Sequence, residues 1–250
     1  MQTTTQRLPS TKSAFQALLR ADMTVQWRQR RAVVMSIIVP VIFVISWRGL
    51  IPAIGAGAVL AICTAIGLPA SGLMGYSMTI ARDRERGVFQ RLRTAPISTW
   101  IIMISRIIVQ LAVILAMTII TYAVAHYADN ISIGVGSLFL LLVGALIGGL
   151  SFVALGQLVV SFIRSSEAVS AAVRLIYFPL AIVGAIGEIG VFGALVQKIV
   201  AWSPLGTTES ILLAAINPAN ASMHDLWALL VTIGYGLVFA AIGIKWFKWS

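Results

Sequence analysis

GLIPAIGAGAVLAICTAIGLPASGLMGYSMTIA, residues 49–81, holds no Asp, Glu, Lys, Arg or His. About 20 apolar residues in a helix cross a hydrocarbon core of roughly 30 Å. This stretch is therefore long enough to span a bilayer, with Gly49-Leu50-Ile51-Pro52 left over as a turn. A second uncharged run, Ile131–Ile163, reads the same way. Strands of a membrane barrel would show as short alternating segments, so unbroken runs mean helices. The whole chain agrees. It is 59% hydrophobic and 10% charged, against about 25% charged in an ordinary soluble domain. Too little polar surface remains to cover a water-soluble globule, and in lipid only helices or closed barrels satisfy the backbone.

Working outward, Ala32–Trp47, Pro96–Tyr127, Ser165–Gly187 and Leu226–Ile244 bring the predicted spans to six. Pro96 suits a first helical turn, where its missing N–H removes no bond. Ser165 or Ser166 is a candidate N-cap for the fifth span. Between spans five and six lie two shorter apolar segments, Val191–Trp202 and Thr208–Ile216, broken at Ser203-Pro204-Leu205-Gly206. Segments of roughly ten to fourteen apolar residues are more often interfacial or re-entrant than spanning, so these read as a helical hairpin dipping back into the membrane. Before the first span, Phe15, Leu18, Leu19, Met23 and Trp27 share one helical face, and Arg20, Gln26, Arg28 and Arg31 lie mostly elsewhere. That pattern fits a basic amphipathic helix lying along the membrane surface.

The expected fold is an all-α integral membrane protein of six transmembrane helices. An interfacial helix precedes them, and an extracellular re-entrant hairpin separates helices five and six. Residues 1–250 form a single transmembrane domain. Within it lie the interfacial helix (12–31), helices one and two (32–81), a charged loop (82–95), helices three to five (96–187), the hairpin (188–225) and helix six (226–247).

The net charge is +10. In a soluble chain this would point to nucleic acid; beside apolar runs it fixes orientation and meets anionic lipid heads. With six spans and the N-terminus inside, sixteen of the eighteen basic residues fall on the cytoplasmic side, and only Arg48 and Lys198 fall outside. The reverse orientation opposes the positive-inside bias. The expected location is the cell membrane, with both termini cytoplasmic. The first 31 residues hold six basic residues and no apolar core, so the first span is expected to act as an uncleaved anchor. Cys63 is the single cysteine, which rules out an intrachain disulfide.

The charged loop is RDRERGVFQRLRTAP, residues 82–96. Charge is scarce in this chain, yet it crowds here with alternating sign from Arg82 to Arg86, as if to form a local salt-bridge elbow. Gly87 lets the backbone turn. Val88, Phe89 and Leu92 then offer a small apolar face beside Arg91 and Arg93. Setting topology alone requires neither Asp83 and Glu85 nor an ordered apolar face, so the loop reads as a docking surface.

RDRERGVFQRLRTAPIS resembles the signature of type-2 ABC exporter permeases, with an R-E-R-x-G run, a leucine followed by arginine, and a proline opening the third span. The resemblance extends over nearly the whole chain: Pro40 in span one, Arg164-Ser-Ser-Glu-Ala-Val leading into span five, and Trp202-Ser-Pro-Leu-Gly-Thr before span six. It implies a permease that pairs with a second permease, as a homo- or heterodimer among membrane lipids, above two cytosolic ABC ATPase subunits. The loop would carry the coupling helix, with Asp83, Glu85, Arg86, Phe89, Arg91 and Leu92 as candidate coupling residues. Ser71 and Gly75 on span two and Glu188 at the outer hairpin would belong to the pathway or outer gate. The resemblance also implies export of a hydrophobic or amphipathic cargo by alternating access, with polysaccharide or sodium as alternatives.

The chain holds no G-x-x-x-x-G-K-S/T phosphate loop, so ATP and Mg are expected in the partner, with no cofactor, metal or catalytic residue here. His126 and Asp129 supply too few ligands for a metal site. Intramembrane enzymes and proton- or sodium-coupled transporters need acidic, basic or metal-binding groups in mid-membrane, and spans two and four contain no Asp, Glu, His, Lys or Arg. Arg106, inside span three, is expected to reach back to lipid phosphates.

Overall fold

The computed structural model describes residues 11–28, 30–93, 99–187 and 193–246, and helices account for all the regular structure in them. In chain order they are α1 (Thr11–Arg28), α2 (Arg30–Ser46), α3 (Ile51–Ile54, after a 3-10 turn at Arg48–Leu50), α4 (Ala56–Pro69), α5 (Tyr76–Glu85), α6 (Val88–Arg93) and α7 (Thr99–Asp129). There follow α8 (Val135–Phe162), α9 (Ser166–Gly187), α10 (Ala194–Ala201), α11 (Pro204–Ile216) and α12 (Met223–Trp246).

Five continuous helices are long and apolar enough to cross a bilayer: Ala56–Glu85, Trp100–Asp129, Val135–Phe162, Ser166–Gly184 and Met223–Trp246. Two further pairs are bent: Ser36–Ser46 with Arg48–Ile54 by 44°, and Ala194–Ala201 with Pro204–Ile216 by 76°. The molecule is thus an all-helical integral membrane protein with five to seven candidate spans.

The central element is the span that begins at Ala56. It packs against α2, α7, α8, α9 and α11, and Leu60, Ile66, Leu68, Leu73 and Ile80 along it are fully buried. Small residues let its neighbours approach closely. A Cβ on Gly72 would lie 3.0 Å from the Gly149 carbonyl and 3.1 Å from the Val153 nitrogen. Pro69 stands within this helix and has no N–H to donate. The chain answers with one wide π-helical turn over Ala70–Gly75, the local device by which a continuous helix absorbs such a break. The Gln110 side chain donates to the Ser71 carbonyl in that turn at 2.9 Å.

Several boundaries differ from expectation. Residues Arg82–Glu85 are not a loop but the last turn of α5. The second short segment of the hairpin opens at Pro204 rather than Thr208. Ser203 caps it by accepting from the Gly206 N–H at 3.2 Å, and Pro204 occupies the first turn. Proline there removes no helical bond, so it starts α11 instead of merely ending α10. At the head of α9, the Ser165 hydroxyl accepts from the Ala168 N–H at 3.2 Å. Pro96 lies outside the described residues.

Candidate functional site: a three-way joint at the end of α5

Among the described residues, no salt bridge joins Asp83, Arg84 and Glu85 to one another. Successive residues on a helix project about 100° apart, and neighbours at i+1 and i+2 do not face each other. Asp83, Arg84 and Glu85 therefore reach three different parts of the molecule.

Asp83 turns inward. It is buried and pairs with Arg106 of α7. Arg106 is itself buried, so it does not reach out to lipid phosphates: its charge is met inside the protein. Its guanidinium also lies 3.9 Å from Asp22 of α1 and 5.2 Å from the centre of the Phe89 ring, a cation–π contact. Ser105 donates to Asp22 at 2.6 Å. Burial pushes the Asp22 carboxyl above its ordinary range, with Asp83 adding to the rise, and the Ser105 hydroxyl and Arg106 oppose it. One arginine thus gathers α1, α5, α6 and α7.

Arg84 reaches the end of α8. Its guanidinium donates to the Val160 carbonyl at 2.8 Å and the Ile163 carbonyl at 3.0 Å. Helix C-termini leave carbonyls unsatisfied and carry partial negative charge, so a cation is favoured there. Glu85 reaches the start of α9. It accepts from the Ser166 backbone N–H at 2.6 Å and the Ser166 hydroxyl at 2.7 Å, and an anion is favoured at a helix N-terminus. The connection Ile163–Ser165 between α8 and α9 is therefore held at both ends by consecutive residues of α5.

Past this joint the chain turns at Gly87, whose φ of +65° lies in the left-handed region open to glycine. α6 follows. Phe89 is buried in the core, so it anchors α6 rather than offering an outer apolar face. Arg86 and Arg91 are exposed, and Arg91 donates to the Arg86 carbonyl at 3.1 Å. Of the six coupling candidates, Asp83 and Phe89 hold the elbow from within, Glu85 grips α9 from its rim, and Arg86 and Arg91 face outward. The side chain of Leu92 lies outside the described residues.

Residues 13–217 match the family described as ABC-2 type transporter. The chain belongs to the ABC-2 type transporter family. It is also 31% identical over 110 residues to the protein named "Probable multidrug ABC transporter permease YbhR" of Escherichia coli, in two strains. That alignment covers 44% of this chain and 28% of the relative, so the chain matches little more than a quarter of the relatives' length.

The pathway candidates sit differently from the elbow. Ser71 is fully buried in the wide turn. A Cβ on Gly75 would lie 3.7 Å from the Gln110 amide nitrogen and 3.8 Å from the Ser36 hydroxyl. Both positions therefore lie within the protomer, towards α2 and α7. Glu188 lies outside the described residues. Asp22 is a member of the joint that sequence reasoning passed over, and Arg106 is one that it assigned to lipid instead. The available signal was a lone arginine inside an apolar span, which requires a buried partner.

Proposed function

We propose that this chain is the transmembrane subunit of an ATP-driven ABC exporter, with its ATPase on a separate chain docking at the α5–α6 elbow. Consecutive residues at one helix end gripping three separate regions carry the reading. A displacement of α6 by a docked ATPase would be delivered at once to α7 through Asp83–Arg106, to α8 through Arg84, and to α9 through Glu85. A loop that only set topology would need none of these links. Arg86 and Arg91 form the exposed contact face, and Asp83 and Phe89 position it.

In this reading six spans cross the membrane. The bent α2–α3 pair forms one of them, and α10–α11 returns to its own side as an outer hairpin. Both termini are cytoplasmic, which the distribution of Lys and Arg supports. Two permeases pair and alternate between inward- and outward-open states. The cargo is hydrophobic or amphipathic, supported by the apolar interior and by the multidrug permease name of the Escherichia coli relative.

Co-purification of the chain with its ATPase and reconstitution into proteoliposomes tests this. Reversing charge at Arg86 and Arg91 together is expected to abolish permease-stimulated ATP hydrolysis and transport while leaving membrane insertion intact. Full stimulation in that variant, or external labelling of a cysteine placed at residue 90 in intact cells, would reject it.

A further inference from the structure

A cavity of about 530 Å³ lies between α7, α8 and α12, within the roughly 300–1,000 Å³ of typical small-molecule sites. Met103 and Ile107, Leu150 and Ala154, and Leu237 and Ala240 contribute its walls, and none of the described lining residues is charged. Its polar lining is Tyr76, Ser151, Gln157 and Thr232; the three hydroxyls donate within the protein, and Gln157 is 6% exposed. Tyr76 donates to the Gln157 carbonyl oxygen at 2.8 Å. The amide nitrogen is buried and has no hydrogen-bond partner among the described residues. A buried amide donor without an acceptor is costly, so the cavity suits an apolar group bearing a hydrogen-bond acceptor.

Depth identifies that group. At 1.5 Å per residue, the 28 residues of α8 extend about 42 Å and overhang a core of roughly 30 Å by about 6 Å at each end. Gln157 stands five residues before Phe162, the end of α8, or about 8 Å in. It therefore sits near the edge of the hydrocarbon, where glycerol ester carbonyls lie. Aromatic residues gather at the same end. Phe162 and Trp246 are in ring contact at 5.0 Å, and Trp100 at the start of α7 is uncovered, as at a membrane interface. Trp100 and Leu237, which line the cavity, are exposed, so it opens to the outside of the helix bundle.

The geometry points to a binding site for one acyl chain of a membrane glycerophospholipid, its ester carbonyl accepting from the Gln157 amide. The inference stands apart from the export reading, because it needs neither ATPase nor transport.

The test uses the full chain in nanodiscs of ester-linked palmitoyl-oleoyl phosphatidylcholine containing a phosphatidylcholine with a diazirine on one acyl chain. Cross-linked positions are read by mass spectrometry. Labelling is expected to concentrate on the cavity walls relative to the equally uncovered Leu175 and Phe178 of α9. Gln157→Leu, or an ether-linked probe with unmodified protein, is expected to reduce cavity labelling roughly three- to tenfold, the worth of one hydrogen bond. Ala240→Phe, which fills the cavity, is expected to bring it down to the α9 level. Equal labelling of cavity and α9, or indifference to the ether probe, overturns the site. Displacement of the label by a hydrophobic dye cation at equal lipid content assigns the cavity to cargo and also overturns it.

Discussion

α7 is tied down at both ends by an arginine–aspartate pair, and the two ties are built differently. Near its beginning, Arg106 and Asp83 are both buried, and Asp22, Ser105 and Phe89 join them. At its far end, Asp129 pairs with Arg48, which also donates to the Ala128 carbonyl. There the arginine side chain is 52% exposed and the aspartate side chain 3%, so water or lipid headgroups reach the arginine but not the carboxylate. The first tie is a junction of four helices; the second joins the turn after α2 to the end of α7. A buried charge left without its partner is strongly destabilising, and an exposed one is not. At the first end the loss of either partner strands a buried charge; at the second only the loss of Arg48 does.

This contrast can be broken by substitution. Asp83→Asn leaves the buried Arg106 with only the more distant Asp22 carboxylate, 3.9 Å away, and is expected to cost about 3 kcal/mol, read as a loss of thermal stability in detergent. Combining Asp83→Arg with Arg106→Asp should recover part of that loss; no recovery would mean that Asp22 and Phe89, not the pair, dominate the junction. Arg84→Ala removes two charge-assisted bonds to the end of α8. It is expected to cost about 1–2 kcal/mol after allowing for partial solvent screening, and to speed hydrogen exchange around residues 160–166. Asp129→Asn, which leaves only the exposed Arg48 without its partner, should cost no more than about 1 kcal/mol. A loss there as large as that of Asp83→Asn would erase the distinction between the two ends. Arg86→Ala with Arg91→Ala should leave the melting temperature unchanged and lower ATPase stimulation, since both side chains face outward.

The spans themselves were legible because lipid demands long apolar runs, and no tertiary partner can supply what such a run lacks. The break between α10 and α11 was legible for a local reason too, since Ser203-Pro204 interrupts the apolar run where the two helices bend by 76°. The elbow was legible only in part. Its density of charge marked residues 82–93, but alternating signs in the sequence suggested pairing along the chain. On a helix those same residues point apart, and their partners lie some 20 to 80 positions away, at Arg106, Val160, Ile163 and Ser166. The amphipathic reading of α6 likewise named Phe89 without showing that it turns inward. Gln157 carried a signal that went unused: it is a polar side chain within an otherwise apolar run.

The sequence by itself determined that this protein is a bundle of membrane helices with one charge-rich elbow, because hydrophobicity and charge density are properties of local composition. Only the tertiary structure decided that Asp83, Arg84 and Glu85 bind three separate regions, and that Arg106 is held inside the protein. Pairing depends on which side chains the packed helices bring within a few ångströms, and composition does not record that distance.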